Sequence, residues 1–296
     1  MCKAIPLEIL SIMENKNDRP LVSFIVTTYN LPTTLLCECL QSILSLSLSK
    51  EEREIIVVDD GSEVSPLNDL VELRDKIVYV RQRNKGLSEA RNMGLVCAQG
   101  KFIQFVDGDD YLIQAPYEHC LDIARYKDAD IILFHETEEE QPEVPFECNG
   151  PMTGSAYMHQ YNLRASACGY LFRANILGNL RFTPNLLHED EEFTPQLSLR
   201  AEHMYFTPSK AYYYRQRSGS ITQEDNMRHM AKRLDDTESI ILRLLDIAQH
   251  SPEMERVALN RRIAQLTMDH LYNIIQLTHS DRHLNEAIER LRKYGL

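Results

Sequence analysis

The sequence has 296 residues, 43% of them hydrophobic, which is enough to bury the core of one main domain with an appended subdomain. The formal net charge of -12 excludes a general binder of nucleic acid backbones, because that mode of binding needs a broad basic surface. The seven cysteines form no Cys-x-x-Cys pair, which argues against a disulfide framework or a zinc site and favours a reducing cytoplasm.

The apolar stretches are too short for a membrane span. Runs such as Ile131 to Phe134 have the length of a strand, far below the roughly 20 residues of a spanning helix. The N-terminus also lacks the basic segment and apolar run of a secretory signal. We therefore expect a soluble cytoplasmic protein that can reach the inner face of a membrane through a partner or a lipid-linked acceptor.

Short β-branched runs alternate with helical patterns through the first half of the chain. The predicted strands are Val22 to Thr27, Glu54 to Val58, Ile77 to Val80, Phe102 to Val106 and Asp130 to Phe134. The predicted helices are Thr33 to Leu46, Leu67 to Leu73, Ser88 to Ala98 and Tyr117 to Tyr126. This alternation predicts an α/β fold with a Rossmann-like, mostly parallel sheet flanked by helices.

The second half divides into two parts. The acidic stretch Glu136 to Pro151 contains three prolines and predicts an exposed loop between a nucleotide half, about 21–135, and an acceptor half, about 150–225. From about Asn226 the pattern is helical, with one apolar side formed by Ile263, Leu266, Leu271, Ile274 and Ile275. We expect an N-terminal extension over 1–20, a main domain over 21–225 and a helical region over 226–296 that packs on it or mediates an oligomer.

Polar segments follow four of the predicted strands. Ligands of such sheets bind beyond the carboxyl ends of the strands. Those ends carry Thr28-Tyr29-Asn30, Asp59-Asp60-Gly61-Ser62, Arg81-Gln82-Arg83-Asn84 and Asp107-Gly108-Asp109-Asp110. The sequence therefore predicts a binding site built from these turns.

The turn Asp107-Gly108-Asp109-Asp110 crowds three carboxylates at the end of an apolar strand. Like charges this close repel each other unless a cation or a proton compensates them. Oxygen ligands suit Mg²⁺ or Mn²⁺, which keep water ligands and bridge to substrate phosphates. The alternative is an acidic turn that only caps the next helix.

Two further turns have both a binding and a structural interpretation. Asp59 and Asp60 can accept hydrogen bonds from a base or ribose, or they can simply form a capped turn. The loop before Arg91 enters a helix with Ser88 as the expected N-cap, and its helix start with Lys85 and Arg91 nearby suits a diphosphate. A plain capped surface helix is the alternative.

The ordered set of these segments resembles the family 2 glycosyltransferases with the GT-A fold. The resemblance covers roughly Leu21 to Ser220 and is carried by Thr-Thr-Tyr-Asn, Val-Val-Asp-Asp-Gly-Ser, Asn-Lys-Gly-Leu-Ser-Glu-Ala-Arg-Asn and Phe-Val-Asp-Gly-Asp-Asp. It implies a nucleotide-diphosphate sugar as donor, most often UDP-linked. The donor-binding residues that it implies are Thr27, Tyr29, Asn30, Asp60, Arg91 and Asp107.

The resemblance also implies a divalent cation, Mn²⁺ or Mg²⁺, at the carboxylate-rich turn. Asp109 would be the principal metal ligand, and Asp107 would contact the metal or the ribose. Asp110 would support these ligands without contacting the metal directly. Two arginines, Arg215 and Arg217, alternate on a predicted extended segment and can form a phosphate clamp or a solvated strand edge. Related proteins have a mobile loop over the diphosphate there, which favours Arg217 in the site.

The segment Leu187-His188-Glu189-Asp190-Glu191-Glu192-Phe193 is the candidate for the catalytic base. Transfer to a hydroxyl needs a base near the attacking oxygen, and a carboxylate can serve. An acidic helix start is the alternative, since acidic residues favour the first turn. The resemblance assigns the base to Asp190, with Glu189 beside it and His188 as another candidate.

Together these residues and the resemblance imply an inverting glycosyltransferase. The resemblance also implies a glycan or lipid-linked acceptor in surface polysaccharide synthesis, which is a common task of similar enzymes. A sugar-phosphate nucleotidyltransferase would share the carboxylates and the sheet, but it needs a glycine-rich basic loop where this chain has Thr27 to Pro32. A dehydrogenase would need a G-x-G-x-x-G turn, which no predicted strand precedes. A non-catalytic protein that binds nucleotide sugars is the remaining alternative.

Overall fold

The computed structural model describes residues 19–139, 147–217 and 227–296. The elements of the first range are β1 (Val22–Thr28), α1 (Thr33–Leu44), β2 (Arg53–Asp59), β3 (Val78–Arg81), α2 (Leu87–Cys97), β4 (Phe102–Asp107), β5 (Tyr111–Leu112), α3 (Gln114–Tyr126) and β6 (Ile131–Thr137). Those of the other two ranges are β7 (Asn149–Met152), α4 (Gly154–Gln160), β8 (Tyr170–Arg173), α5 (Glu189–Ser198), β9 (Met204–Tyr213), α6 (Met227–His250), α7 (Glu253–Thr278) and α8 (Asp281–Arg292).

The strands form one sheet in the order β3-β2-β1-β4-β8-β6-β9-β5, with β7 also paired to β9. The pairs β1–β2, β1–β4 and β2–β3 are parallel, as predicted, and the strands β1 and β2 are buried through almost their whole length. Buried parallel strands need apolar residues on both faces, which accounts for the unbroken runs in the sequence. The α/β fold class is confirmed.

The sheet becomes mixed beyond β4 because β8 lies between β4 and β6 and runs antiparallel to both. It follows that β4 and β6 run in the same direction, and β9 is parallel to β6. Their carboxyl ends therefore meet at one edge of the sheet, which we call the ligand edge. The sequence did not predict β8, whose place depends on pairing with distant residues.

One predicted helix is wrong. The helix predicted from Leu67 to Leu73 is two short 3₁₀ turns, Pro66–Asn68 and Val71–Leu73. Leu67 and Val71 are about half exposed there, so the segment has no apolar face that would favour a longer helix.

The predicted N-cap of the second helix is also wrong. The helix begins at Leu87, so Ser88 lies in its first turn, and Gly86 precedes it with φ at 86°. That left-handed backbone conformation is accessible to glycine at little cost. The carboxylate of Asp60 accepts hydrogen bonds from the backbone N–H groups of Lys85 and Gly86, which fixes the entry to the helix.

The helical region after residue 226 packs onto the main domain. A second apolar core joins Ile240, Leu244, Leu259 and Ile263 from α6 and α7 to Met158, Leu163 and Leu186 of the main domain. The predicted apolar side is confirmed for Ile263, Leu266 and Ile274, which are buried. It is wrong for Ile275, which is 44% exposed because neighbouring residues of a helix point about 100° apart.

The predicted boundaries concern the N-terminal extension, the loop from Glu136 to Pro151 and the start of the helical region. Residues 1–18, most of the predicted N-terminal extension, and the boundary at 225 lie outside the described residues. The predicted loop from Glu136 to Pro151 is shorter than expected, since its first residues continue β6 and its last belong to β7. The division into a nucleotide half and an acceptor half stays a prediction.

A close contact between α4 and the end of α5 generates a test of packing. A Cβ atom on Gly154 would lie 1.7 Å from the backbone oxygen of Ser198. We therefore expect Gly154→Ala to lower the free energy of unfolding, measured in urea, by about 1–3 kcal/mol. Gly169→Ala is the matched control, because its nearest neighbour would be an ordinary contact at 3.5 Å. Equal effects of the two substitutions would refute the close packing.

Candidate active site

The acidic turn after β4 separates into one buried and two accessible carboxylates. The buried side chain of Asp110 accepts hydrogen bonds from the hydroxyl of Tyr212 at 2.7 Å and from the backbone N–H of Arg215 at 2.8 Å. Burial and the neighbouring charge of Asp107 raise the pKa of Asp110 to about 8. The hydrogen bonds of Asp110 thus hold the turn against β9, while Asp107 and Asp109 remain partly exposed at the ligand edge.

Both predicted clamp arginines contact this turn. The Nε atom of Arg217 lies 2.5 Å from Oδ2 of Asp109. Arg215 donates from Nε to the backbone oxygen of Asp109 at 2.9 Å and from its guanidinium to Glu38 at 2.6 Å. The two arginines therefore compensate negative charge where β9 ends.

Arg91 connects the acidic turn to the acidic helix α5. Its guanidinium is buried and forms ion pairs with Asp107 at 3.0 Å and with Glu189 at 2.6 Å. It also lies over the rings of Phe105 and Phe182. Burial opposes its charge, but Asp107 and Glu189 hold the pKa of Arg91 well above its usual value. The structure thus makes Arg91 the link between two parts of the site.

The acidic start of α5 is held by arginines from three helices. Glu189 pairs with Arg91 of α2, and the other two pairs in the described residues are Glu191 with Arg262 of α7 and Glu192 with Arg243 of α6. Thr183 also donates to Glu192 at 2.6 Å. Asp190 forms no ion pair with a described residue.

Asp190 differs from its neighbours in its electrostatic surroundings. Burial, together with the charges of Glu189 and Glu191, raises the pKa of Asp190 well above its usual value. The preceding residue, His188, has a left-handed backbone with φ at 59°, which is uncommon for a residue other than glycine. Its Nε2 atom accepts from Nε of Arg233 at 3.2 Å. Burial and the positive charge of Arg233 lower the pKa of His188.

A cavity of about 380 Å³, which we call the transfer cavity, joins these groups. Arg91, Asp107 and Asp190 line it, together with the start of α2. Its remaining wall comes from the start of α6, where His229, Lys232 and Arg233 face it. It contains a buried cation, the carboxylates of Asp107 and Asp190 and a basic wall, a combination that can receive an anionic leaving group and a hydroxyl.

Four residues predicted to bind the nucleotide at the ends of β1 and β2 do not line this cavity, and neither do Arg217 and Asp109. Thr27 is buried and donates to Asp107 at 3.4 Å, while Tyr29 is 48% exposed. Asn30 accepts from the backbone of Glu63 at 2.8 Å. Asp60 accepts from Gln82 at 2.7 Å in addition to its bonds to the next helix entry. All four lie where β1 and β2 end, and their roles toward a nucleotide stay predictions.

The donor groups at the acidic turn fit a divalent cation only when phosphate oxygens complete its coordination. No group of three or more His, Cys, Asp or Glu side chains in the described ranges is arranged to hold a metal. Mg²⁺ and Mn²⁺ are commonly held by one or two carboxylates, with water and substrate phosphates as the other ligands. Asp107 and Asp109 meet this smaller requirement, so the residues fit a metal that binds together with a diphosphate.

The contribution of α6 to the site was not predicted from the sequence. His229, Lys232 and Arg233 are spaced i, i+3 and i+4, which places them on one face of a helix. That spacing was available in the sequence as a signal of a basic helical face. Its position against the transfer cavity was not, because it depends on how α6 docks on the main domain.

The buried ion pairs of Arg91 generate a stability prediction. Arg91→Met should lower the free energy of unfolding by about 3–5 kcal/mol, because Glu189 is left buried without its cation. Adding Glu189→Gln should restore a large part of that loss. Arg243→Met is the control, since its side chain is 43% exposed and its loss should cost less than about 1 kcal/mol. Similar losses for both single variants would contradict the prediction.

Comparison with known proteins places this geometry in a family. Residues 23–150 match the family model described as glycosyl transferase family 2. The chain is 30% identical over 223 residues to the uncharacterized glycosyltransferase EpsJ of Bacillus subtilis, covering 69% of this chain and 63% of EpsJ. It is 29% identical to the glycosyltransferase GlyA of Streptococcus pneumoniae, covering 68% of this chain and 31% of GlyA. The chain thus spans less than two thirds of the length of these relatives.

Solved structures share the fold. Residues 1–349 of S. aureus TarS in complex with UDP-GlcNAc superpose with a TM-score of 0.72 at 22% identity, covering 92% of this chain and 80% of that one. The mannosyltransferase PcManGT of Pyrobaculum calidifontis, in complex with GDP-Man and Mn²⁺, gives 0.61 at 14% identity, covering 94% of this chain and 76% of that one.

None of the helices in the described ranges combines the length and apolar character that a bilayer crossing requires. The order of the motifs, the sheet that carries them and the match over residues 23–150 show that this part of the chain is a glycosyl transferase family 2 domain and that the chain has the GT-A fold.

Proposed function

We propose that the protein is an inverting glycosyltransferase that moves a sugar from a UDP-linked donor to a hydroxyl of a glycan or lipid-linked acceptor in surface polysaccharide synthesis. The observation that carries the proposal is the transfer cavity, which Asp107, Arg91 and Asp190 line together. The similarity to TarS, described in complex with UDP-GlcNAc, supports UDP as the nucleotide. The similarity to the minor teichoic acid biosynthesis protein GgaB of Bacillus subtilis supports a surface polymer as acceptor.

Asp190 is the proposed base, and the contacts of its neighbours support this choice. The carboxylate of Glu189 is paired with Arg91, and the acceptor nitrogen of His188 is engaged by Arg233. Asp190 remains as the carboxylate that lines the cavity without an ion pair to a described residue. Its raised pKa makes it a better proton acceptor than an ordinary aspartate once it is ionised.

The remaining side chains position the donor. A divalent cation bound with the diphosphate at Asp107 and Asp109 would neutralise the charge that develops on the leaving group. Arg217, which follows β9, pairs with the carboxylate of Asp109 and can turn to bind a phosphate. Asp190 takes the proton of the acceptor hydroxyl. The oxygen of that hydroxyl attacks the anomeric carbon from the side opposite the nucleotide, so the configuration inverts. The bond from that carbon to the diphosphate breaks, and UDP leaves.

Nucleotide binding gives the first test of this function. In calorimetric titrations we expect UDP to bind more tightly with Mn²⁺ than without it. Asp109→Ala should weaken binding in Mn²⁺ at least about tenfold, or roughly 1.4 kcal/mol, because a metal ligand is lost. Asp122→Ala, an exposed carboxylate on α3, is the control and should bind as the natural protein does. The absence of UDP binding with and without Mn²⁺ would refute the donor assignment.

The role of Asp190 is tested by the release of UDP and free sugar from UDP-sugars with water as acceptor. Asp190→Asn should slow release by about 10²- to 10⁴-fold while leaving the Kd for UDP unchanged, because only proton transfer is lost. Proton NMR of the first product should show an inverted anomeric centre. Retention of configuration would contradict the mechanism.

The raised pKa of Asp190 also fixes the direction of the pH dependence. A base must be ionised to act, so the rate should fall as the pH drops through that raised pKa. An ordinary aspartate would keep its activity to lower pH. The Kd for UDP should not follow the same profile.

A further inference from the structure

A second cavity of about 390 Å³ lies beside β6, and we call it the aromatic cavity. Its lining includes Leu133 to Glu136, where β6 approaches its carboxyl end. Because β6 runs in the same direction as β4, this end belongs to the ligand edge that also carries the acidic turn. Ligands of α/β sheets bind along this edge.

An irregularity in β9 shapes the aromatic cavity. Leu133 pairs with Phe206 and His135 pairs with Lys210, so β9 contains two more residues than β6 over the same stretch. The extra residues fall within Thr207 to Ser209, of which Thr207 and Pro208 line the cavity. A bulge of this kind interrupts the ladder and bends the strand, and bulges are frequent next to active sites.

Three aromatic rings form one wall of the aromatic cavity. The ring centroids of Tyr157, on α4, and Tyr161, directly after α4, lie 5.1 Å apart. The ring centroid of Phe206 lies 5.5 Å from that of Tyr157 and 5.3 Å from that of Tyr161. Tyr161 is 42% exposed. Such a wall offers apolar surface on which the C–H face of a sugar ring can pack.

Planar polar groups interrupt that aromatic surface. Asn149, Asn162, Arg164 and His135 line the same cavity. The Oδ1 atom of Asn162 accepts from Arg261 at 3.0 Å, which holds the amide in place. Arg164 is exposed and forms no ion pair with a described residue. A lipid chain would leave these groups unpaired, whereas the hydroxyls of a sugar can bond to them.

Ser166 lies between the aromatic cavity and the transfer cavity, because it lines both. Its hydroxyl donates to Glu136, which is also part of the aromatic cavity. A chain that presents its end at Asp190 would pass Ser166 to reach the aromatic cavity. The adjacency of the two cavities therefore favours the acceptor chain as the occupant.

We propose that the aromatic cavity binds a pyranose unit of the acceptor chain, next to the unit whose hydroxyl is glycosylated. The inference rests on the proposed function and adds the substrate class that it lacked: an acceptor of at least two sugar units, recognised by stacking as well as by hydrogen bonds. A single sugar would fill the transfer cavity and leave the aromatic cavity empty.

The test is saturation-transfer NMR with five trisaccharides, namely maltotriose, cellotriose, mannotriose, galactotriose and chitotriose, each with UDP and Mn²⁺ present. At least one should bind the natural protein, with its ring protons saturated from the aromatic side chains. Tyr161→Ala and Arg164→Ala should weaken that binding about tenfold. Tyr272→Ala, a tyrosine 60% exposed on α7 and outside both cavities, is the matched control.

The outcomes separate the two proposals. Binding of none of the trisaccharides, or equal binding by the Tyr161, Arg164 and Tyr272 variants, overturns the aromatic cavity as an acceptor site. The Kd for UDP is measured on the same samples and should be unchanged in all three variants. UDP binding that persists while trisaccharide binding fails removes only this inference. Failure of the natural protein to bind UDP removes the proposed function itself.

Discussion

The balance of charge at the ligand edge is the constraint on which the rest of the structure depends. Several strands end there in carboxylates, and the chain as a whole is acidic, so the compensating cations must be supplied locally. They come from separate elements: Arg91 of α2, Arg215 and Arg217 after β9, Arg243 of α6 and Arg262 of α7. Each ion pair that neutralises a carboxylate therefore also joins two parts of the fold.

This arrangement divides the carboxylates by task. Asp110 and Glu189 are buried and hold elements together, whereas Asp107, Asp109 and Asp190 reach accessible space. The helical region after residue 226 takes part in this division, because its arginines hold Glu191 and Glu192, the two residues that follow the proposed base. A region that resembles an appended bundle in sequence thus supports the geometry of the centre where transfer would occur.

The sequence predicts the parallel half of the sheet well because buried parallel strands leave unbroken apolar runs, as in β1, β2 and β4. It predicts the acidic turn for the same reason, since the turn directly follows such a run. It cannot predict β8 or the bulge in β9, which depend on pairing between distant residues. Asp60 shows a subtler limit: its chemistry suits a ribose, yet its hydrogen bonds to the entry of α2 are visible only in three dimensions.

The pairs of Glu191 with Arg262 and Glu192 with Arg243 also bear on how the chain could change over evolution. Each pair joins the main domain to the helical region. Loss of one partner therefore leaves the other charge without a compensating charge. Such positions should be inherited together. Arg262 is the buried arginine of the two, so exchanging the helical region with that of another member of the family would preserve the surroundings of the proposed base only if an arginine were kept at that position.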